Sequence, residues 1–369
     1  MPRANSPINT WMAFLGHRDS PTDGVEDYCN FLGEALRRRG VELRMERLRW
    51  SEDGWLPALW RLSRDSASWR GHWVLLQYTA FGWSRYGFPF GAVAAIAILR
   101  RRGARCVIVF HDGNSHPSNS VVEHCRRISQ QWVLRQAYRM TESSIFTLPL
   151  NRVGWLMKVP DKASFVPIGA NVPSLNHCDQ FATRSSEHIP TVAVFGVTEP
   201  PNGQLEIETV AYIMRLVAAS LEGIRLLVFG RGAEAAEGPL RQALQGVPLM
   251  LDVRGILEAK QASQVLASSD ALLFVRGQLS GRRGSALAGV ACGLPIVGFI
   301  GPETAFPLTE AGLELFPEGD REGLSRALIH ILSDSGYRKE LSRRSFYAQE
   351  NYFSWDKIAQ AFVGILGND

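Results

Sequence analysis

Short apolar runs alternate with amphipathic segments along most of the chain, a pattern that predicts helices packed on parallel β-sheets. In the first half, the runs Trp11–Gly16, Trp73–Gln77 and Cys106–Phe110 are expected to be buried strands. Apolar residues at helical spacing fill residues 25–36, and Arg37–Gly40 supplies the cations and the glycine that end a helix. The order strand, glycine-containing loop, helix and strand is typical of a doubly wound α/β domain.

The alternation restarts at Thr191–Gly196, after a polar stretch at residues 174–189 that we interpret as an interdomain linker. We therefore predict a first domain with its linker over residues 1–185, a second domain over 186–350 and a closing helical segment over 351–369. Both large domains are expected to be Rossmann-like, each with a parallel sheet between two layers of helices.

A glycine-rich basic loop follows a predicted strand in the second half and opens a helix of small residues, Ser285–Cys292. The turn consists of Arg282, Arg283, Gly284 and Ser285. A helix N-terminus offers unpaired backbone N–H groups and a positive dipole, to which the two arginines add full charges. Ser285 can cap the helix and also donate to an anion. The turn predicts a site for phosphate, and for a diphosphate in particular; the alternative is a tight β-α-β turn with two solvated arginines.

His111 and Asp112 directly follow the buried strand Cys106–Phe110 in the first half. Ligands of open α/β sheets bind outside the carboxyl ends of the strands, so this pair is well placed to meet one. His111 can hydrogen-bond a sugar hydroxyl or a phosphate, and Asp112 can orient the histidine or bind a hydroxyl itself. The alternative is a helix-capping aspartate beside a structural histidine.

Length and composition agree with two soluble domains, since the chain has 369 residues of which 46% are hydrophobic and 21% charged. The formal net charge is only +4, but residues 1–185 hold 24 Lys and Arg against 15 Asp and Glu. A basic first half favours an anionic partner, such as a membrane surface, a lipid phosphate or an acidic glycan. Ordinary surface charge on an arginine-rich chain is the alternative, and a nucleic-acid partner is not expected.

The cysteines and the N-terminus bear on the compartment. The five cysteines are Cys29, Cys106, Cys125, Cys178 and Cys292. Their odd number and scattered positions argue against a disulfide framework and against a zinc site, and favour a reducing compartment. The N-terminus lacks an apolar signal core, and no apolar run approaches the ~20 residues of a membrane span. We expect a cytoplasmic protein that can touch the inner face of the membrane.

Residues 48–73 interleave five tryptophans with arginines, which gives this segment two interpretations. Tryptophan and arginine on one helix can lie at a membrane interface. More often such tryptophans fill a core. The tryptophans are Trp50, Trp55, Trp60, Trp69 and Trp73.

The chain lacks the glycine motif of nicotinamide dehydrogenases in its first β-α unit, the phosphate-loop motif of NTPases and the Gly-x-Ser-x-Gly of hydrolases. Several short segments match another pattern. In the second half they are Leu227–Gly232, Val253–Leu257, Leu266–Ala271 and Ala291–Val297. Phe353–Trp355 is a further match, and Asp23–Val25 and Val166–Asn171 in the first half are weaker ones. Together these segments resemble the GT-B glycosyltransferases, most of all the retaining family 4 enzymes.

The resemblance implies two domains facing each other across a cleft, with a nucleotide-diphosphate sugar held by the second domain and the acceptor by the first. It implies that His111 lies near the transferred sugar and that the closing helix crosses back to the first domain. Residues that the resemblance assigns to the nucleotide are Gly230, Arg254, Gly255 and Ile256. Those that it assigns to an acceptor-side loop are Asp23, Gly24 and Val25.

The chain departs from the family at two places. The family's two glutamates, separated by seven residues around the phosphate loop, fall here at Ser280 and Ala288. The loop after the second domain's first strand carries neither Arg nor Lys. Arg282 and Arg283 are expected to take over the diphosphate, because a guanidinium binds phosphate through two hydrogen bonds, and Arg231 is a third candidate.

The function expected from these residues and from the resemblance is transfer of a sugar from a nucleotide-diphosphate donor to a hydroxyl of a glycan, lipid-linked or other acceptor. Retention of the anomeric configuration is implied by the resemblance. No metal and no cofactor other than the donor substrate is expected. Two alternatives stay open: a non-catalytic GT-B module that binds nucleotide sugars or a partner, and a GT-B epimerase or phosphorylase.

Overall fold

The computed structural model describes residues 9–19, 23–117, 120–156, 162–173 and 188–367. The chain forms two compact units, Met1–Ile168 with Trp355–Asp369, and Gly169–Ser354. Most of the predicted linker and Cys178 lie outside the described residues. The closing helix, predicted to return to the first domain, is part of the first unit.

The first unit contains a six-stranded parallel sheet with the strand order β2-β1-β3-β4-β5-β6. Its strands are β1 (Asn9–Leu15), β2 (Val41–Arg47), β3 (Trp73–Tyr78), β4 (Arg105–Phe110), β5 (Ser143–Phe146) and β6 (Ala163–Phe165). Its helices up to the linker are α1 (Gly24–Arg37), α2 (Trp50–Asp53), α3 (Trp55–Asp65), α4 (Phe90–Arg101) and α5 (Val121–Met140).

The second unit repeats this architecture, with the strand order β12-β11-β10-β7-β8-β9, again all parallel. Its strands are β7 (Thr191–Phe195), β8 (Ile224–Phe229), β9 (Leu249–Val253), β10 (Ala271–Gln278), β11 (Ile296–Phe299) and β12 (Leu313–Phe316). Its helices are α6 (Gln204–Ser220), α7 (Ala233–Ala243), α8 (Ala259–Ala267), α9 (Gly284–Ala291), α10 (Arg321–Ser333) and α11 (Ser335–Ala348).

The last helix, α12 (Trp355–Leu366), packs beside α1 on the first sheet. The rings of Phe31 and Trp355 stack with centroids 5.6 Å apart, and Arg38 forms a 3.1 Å ion pair with Asp356. Helices α3, α4 and α5 contribute to the apolar cluster on the opposite face. Helices α1 and α12 therefore cover one face of the first sheet, and α3, α4 and α5 cover the other, so its apolar strands are buried on both faces.

Sequence periodicity predicted most of these elements, with differences that concern the sites below. The strand before the basic loop, expected to span Ala271–Val275, continues as β10 to Gln278 through an irregularity in its pairing with β11. Strand β12 and helix α7 were not predicted at all. Helix α7 was missed because its sequence is short and alanine-rich, with Gly238 and Pro239 inside it.

The expectations about membranes and cysteines can be compared with this fold. None of the helices in the described ranges combines the length and apolar composition needed to cross a membrane. The cysteines at 29, 106, 125 and 292 are free thiols, and all but Cys125 are buried. Of the five tryptophans, Trp50 and Trp73 are buried, whereas Trp60 keeps 66% of its surface exposed. The core interpretation therefore holds for part of this segment and not for Trp60.

Candidate functional site

The order of strands in the second sheet identifies where a ligand is expected in that unit. Strand β7 lies between β8 and β10. The connection after β7 leads to β8 on one side, whereas the connection after β9 leads to β10 on the other side, so the strand order reverses between β7 and β10. In open α/β sheets the crevice outside the carboxyl ends of two such strands is the usual binding site. The loop after β10 is the predicted phosphate turn, and it therefore starts at the strand pair where a ligand is expected.

The turn is open, and its helix begins one residue earlier than predicted. Helix α9 starts at Gly284, its N-cap residue is Arg283, and no side chain caps it. The prediction that Ser285 caps the helix is wrong, because Ser285 already lies in the first helical turn. Within the described residues, the backbone N–H groups of Gly284 and Ser285 form no hydrogen bond. A Cβ atom added to Gly281 or Gly284 would meet nothing within 4 Å, so these N–H groups are not covered by packing.

Arg282, predicted to bind phosphate, is engaged by a carboxylate. Its Nη2 donates to both carboxylate oxygens of Glu303, at 2.8 and 2.7 Å, and the two side chains are 29% and 33% exposed. Thr304 fixes the loop that carries Glu303, since its hydroxyl accepts from the Gly301 N–H and donates to the Leu279 carbonyl. The charge of Arg282 is thus largely balanced within the protein, which weakens its pull on an anion.

Arg283 lies in positive surroundings. Partial burial lowers the pKa of Arg283, and the neighbouring charges of Arg276 and Arg282 lower it further, against smaller opposite effects of Glu303 and Glu206. A guanidinium stays charged in proteins, so a lowered pKa here means unfavourable confinement of a cation. An anion bound beside Arg283 would relieve this.

Arg276, which lies near the end of β10, was not among the predicted phosphate-binding residues. Its Nη1 would be 3.2 Å from a Cβ added to Gly196, the residue that follows β7. The guanidinium of Arg276 therefore extends across the carboxyl end of β7, over the position where a ligand is expected. The continuation of β10 to Gln278 places Arg276 there, and a longer predicted strand would have found it.

The loop after β7 is shaped by close backbone contacts. Glu206 in α6 accepts hydrogen bonds from the backbone N–H and the hydroxyl of Thr198, at 2.8 and 2.7 Å. The N–H of Val197 donates to the Arg231 carbonyl at 3.0 Å. A Cβ on Gly232 would lie 2.0 Å from the Val197 carbonyl oxygen, so the loop after β8 needs glycine to approach this closely.

The residues predicted for the nucleotide lie after β8 and β9. The N–H of Gly230 donates to the Gly255 carbonyl at 2.9 Å, which brings these two loops together. Ile256 is 54% exposed beside them. Arg254 directly precedes Gly255, and its guanidinium forms an ion pair with Asp252 at 2.8 Å.

The two places where the family pattern expects glutamates are closed. Ser280 is 5% exposed and Ala288 is 1% exposed, and the Ser280 carbonyl accepts from the Arg283 N–H at 3.1 Å. These positions hold the turn and the helix packing rather than a carboxylate that could reach a ligand.

The strand order of the first sheet reverses between β1 and β3, because β2 lies on one side of β1 and β3 on the other. The loops after these strands touch, because the His17 N–H donates to the Gly82 carbonyl at 2.6 Å and a Cβ on Gly16 would lie 2.1 Å from that oxygen. Strand β4 is the next strand after β3, so His111 and Asp112 follow a strand beside this point. Their predicted placement at a ligand-binding sheet edge agrees with the topology.

His111 is oriented by Gln77. The Nε2 atom of His111 lies 2.9 Å from Oε1 of Gln77, a residue near the end of β3 that is 2% exposed. The ring of Tyr28 meets that of His111 edge-on, with centroids 4.8 Å apart. Asp112 accepts the N–H of Ala80 at 2.9 Å, and its role of orienting the histidine stays a prediction. Gln77 was visible as the polar end of an apolar strand, but its partner was not.

The predicted acceptor-side loop is tied to the start of α1. Asp23 is the N-cap residue and accepts the N–H groups of Val25 and Glu26, at 3.0 and 3.1 Å. Its other oxygen forms a 3.1 Å ion pair with Arg47. Gly24 is open, since an added Cβ would meet nothing within 4 Å. Asp23 therefore serves the helix and the ion pair, and Gly24 is the accessible member of this loop.

No cluster of three or more His, Cys, Asp or Glu side chains suited to a metal ion occurs in the described parts of the chain. The site in each unit is instead built from arginines, glycines, backbone N–H groups and one histidine.

Comparison with known proteins gives relatives by structure only. No family model and no curated sequence matches the chain. The fold is similar to that of sucrose-phosphate synthase from Thermosynechococcus elongatus, at a TM-score of 0.70 and 17% identity over 97% of this chain and 98% of that one. The fold is also similar to that of Anabaena HepE in complex with UDP and glucose. The TM-score is 0.67 and the identity 14%, over 97% of this chain and 99% of that one.

A third similar structure is a putative UDP-N-acetylglucosamine 2-epimerase from Listeria monocytogenes, at a TM-score of 0.59 and 11% identity over 98% of this chain and 96% of that one. The three similar structures match almost end to end, and their coverage agrees with two parallel six-stranded sheets flanked by helices. The chain therefore has the GT-B fold, with two Rossmann-like domains.

Proposed function

We propose that this protein is a glycosyltransferase that moves a sugar from a nucleotide-diphosphate donor to a hydroxyl acceptor. The observation that carries the proposal is the pair Arg276 and Arg283 beside an open glycine turn, at the strand pair of the second unit where ligands bind. Such a site suits a diphosphate, whose negative charge grows as it leaves the sugar. Fixed cations and backbone N–H groups stabilise that charge without reorganisation.

In the donor site, Arg283 and Arg276 bind the diphosphate, and the N–H groups of Gly284 and Ser285 donate to its oxygens. Arg282 stays paired with Glu303 and contributes little to binding of the diphosphate. The loops at Gly230 and Gly255 are on the strands to the other side of β7 and receive the nucleoside. Arg231 remains a candidate for the phosphates because it lies in the loop after β8, which contacts the loop after β7.

A uridine nucleotide is the first donor class to test, because HepE, whose fold this chain shares, is described in complex with UDP and glucose. The sugar of the donor is proposed to be a hexose.

In the first unit, His111 binds a hydroxyl of the transferred sugar and helps to organise an oxocarbenium-like transition state. The retaining outcome is proposed from the resemblance. In that case the leaving phosphate oxygen assists deprotonation of the acceptor hydroxyl. No step of this mechanism is routed through a metal.

The acceptor is proposed to be a glycan or a lipid-linked sugar, because the helical layer of α3, α4 and α5 exposes large apolar side chains. Leu56 and Trp60 in α3 are 83% and 66% exposed, and Phe90 and Trp132 are 50% and 46% exposed with rings 5.7 Å apart. Arg64 lies over the Trp60 ring at 5.3 Å. Aromatic and cationic side chains on one helical layer suit peripheral contact with an anionic membrane surface.

The membrane part of this proposal has a direct test. The protein should sediment with vesicles of anionic phosphatidylglycerol and not with neutral phosphatidylcholine, and Trp60→Ser should reduce the bound fraction. Leu216→Ser on α6, an exposed apolar residue of the second unit, is the matched control. Equal binding of both variants, or no binding of the wild type, contradicts membrane contact and leaves a soluble glycan as the acceptor.

Calorimetry with UDP, GDP, ADP and TDP sugars, followed by a turnover assay, tests the central proposal. We expect one nucleotide class to bind and its sugar to be transferred to an acceptor from a glycan or lipid extract. Nuclear magnetic resonance of the product then reads the anomeric configuration. Failure of every nucleotide sugar and of its free diphosphate to bind contradicts the proposal.

Two alternatives give different results in the same assays. Ser280 and Ala288 in place of the acidic pair favour a non-catalytic module, which would bind a nucleotide sugar without turnover on any acceptor. An epimerase, the class of the Listeria protein with the same fold, would convert the nucleotide sugar with no acceptor present.

A further inference from the structure

Gln77 is a buried amide on an otherwise apolar face of the first sheet. Its neighbours of the same orientation on β3, Trp73 and Leu75, belong to the apolar cluster under α1 and α12. Burying an amide costs free energy unless its donor and acceptor are both used. Both are used here, because Nε2 donates to the Leu75 carbonyl at 3.2 Å and Oε1 faces His111 at 2.9 Å.

These two bonds determine which nitrogen of His111 carries the proton. The Leu75 carbonyl can only accept, so it requires the amide nitrogen of Gln77 on its side. Oε1 is then the atom that faces His111 and it can only accept, which requires a hydrogen on Nε2 of the imidazole. In the neutral ring Nδ1 is therefore the acceptor nitrogen.

We propose that Gln77 is a positioning residue that holds neutral His111 in the Nε2-protonated tautomer and so determines which nitrogen of the imidazole can accept a hydrogen bond. The Tyr28 ring, edge-on to His111, limits rotation of the imidazole about this hydrogen bond. The role in catalysis rests on the proposed function, whereas the tautomer is a property of the resting protein and can be measured without a substrate.

The same unit contains a control histidine with the opposite arrangement. Nδ1 of His72 lies 3.0 Å from the backbone carbonyl of Thr10, which can only accept. Neutral His72 is therefore expected to carry its proton on Nδ1. The two histidines should give mirror-image nitrogen patterns in one spectrum.

The experiment is a long-range nitrogen–proton correlation spectrum of the full chain labelled with ¹⁵N-histidine, recorded above pH 8, with His111→Asn and His72→Asn spectra for assignment. We expect His111 to show a protonated Nε2 and an unprotonated Nδ1, and His72 the reverse. Gln77→Met has the same shape without the acceptor and should move the two nitrogen shifts of His111 toward each other while leaving His72 unchanged.

Gln77→Glu keeps the shape and adds a charge, so it should raise the pKa of His111 by about one unit or more, the usual effect of an adjacent carboxylate. An Nδ1-protonated His111 in the wild type overturns the proposal, as do unchanged His111 shifts in a folded Gln77→Met protein. Once a donor is identified, Gln77→Met should lower kcat and leave donor binding within about threefold. Absence of turnover in the wild type would count against the proposed function only, and the tautomer result would stand.

Discussion

Deleting single charges around the glycine turn separates the arginine that is expected to bind phosphate from the one that is already paired. Arg283 has cationic neighbours and a lowered pKa, whereas Arg282 shares its charge with Glu303 through contacts of 2.7 and 2.8 Å. A hydrogen bond to a charged group contributes about 1.5–3 kcal/mol. Loss of about 2 kcal/mol weakens binding by about 30-fold. Arg283→Ala should therefore weaken binding of UDP and of inorganic pyrophosphate by about that factor.

The paired double variant is the control for this prediction. Arg282→Ala alone leaves the Glu303 carboxylate without its cation near the phosphates, so binding should fall through repulsion. Arg282→Ala with Glu303→Ala removes both charges and restores the local balance, so affinity should return to within about threefold of the wild type. Arg282→Ala with Arg283→Ala should raise the donor KM or lower kcat at least tenfold, about 1.4 kcal/mol.

Isothermal titration calorimetry at low and at physiological salt measures these affinities directly, with thermal melting to confirm that each variant is folded. Equal losses in Arg283→Ala and in the Arg282→Ala, Glu303→Ala double variant would refute the distinction between the two arginines. Unchanged UDP and pyrophosphate binding in the Arg282→Ala, Arg283→Ala variant would refute the phosphate turn as a whole.

Three further predictions concern the first unit. The Tyr28 hydroxyl is buried with no hydrogen-bond partner, so Tyr28→Phe should leave the melting temperature unchanged or raise it. Tyr28→Ala should lower the free energy of chemical unfolding by about 3–5 kcal/mol. A large loss of stability in Tyr28→Phe would contradict this. Burial raises the pKa of Asp27, with Asp23 and Glu26 as further causes, so its ionised form is disfavoured in the folded state. Stability is therefore lost as the pH rises above the ordinary value of an aspartate, about 3.9, and Asp27→Asn should raise the melting temperature at pH 7 with a gain that fades below pH ~4; a pH-independent gain would point to another cause. Gly16→Ala places a Cβ 2.1 Å from the Gly82 carbonyl oxygen and should lower the melting temperature. Gly24→Ala should not, because a Cβ added there meets nothing within 4 Å. Equal melting temperatures of the two variants would show that the loops after β1 and β3 are not in contact.

Much of the fold follows from periodicity, because buried parallel strands leave continuous apolar runs that the sequence displays directly. Cys106–Phe110 is such a run, and its polar continuation at His111 marks a sheet edge. Strand β12 and helix α7 were missed for a physical reason, since neither contains a long apolar run or a clear helical stripe. Their neighbours in the sheet and the core determine their structure, and tertiary contacts override local preference.

The sequence indicates side chains for the candidate sites but not how those side chains pair. The two arginines of the turn were visible, but Glu303 lies 21 residues beyond Arg282 and reaches it only through the arrangement of β10 and β11. Gln77 meets His111 because β3 and β4 are adjacent, with Tyr78 opposite Phe110 in register. Strand order and register decide which side chains meet, and a single sequence records neither. The cap of α9 was placed two residues late because Ser285 is a strong N-cap residue type, whereas backbone geometry put Arg283 there.

The stacking of Trp355 on Phe31 has a consequence for biosynthesis. The helix that covers the side chains of α1 is made by the ribosome more than 300 residues after them. Until α12 emerges, the growing chain carries an uncovered apolar strip on the domain that contains α1, while the second unit contains all its own elements and can complete first. Nascent chains halted before Trp355 should therefore bind chaperones that recognise apolar segments, and release them once α12 has left the ribosome.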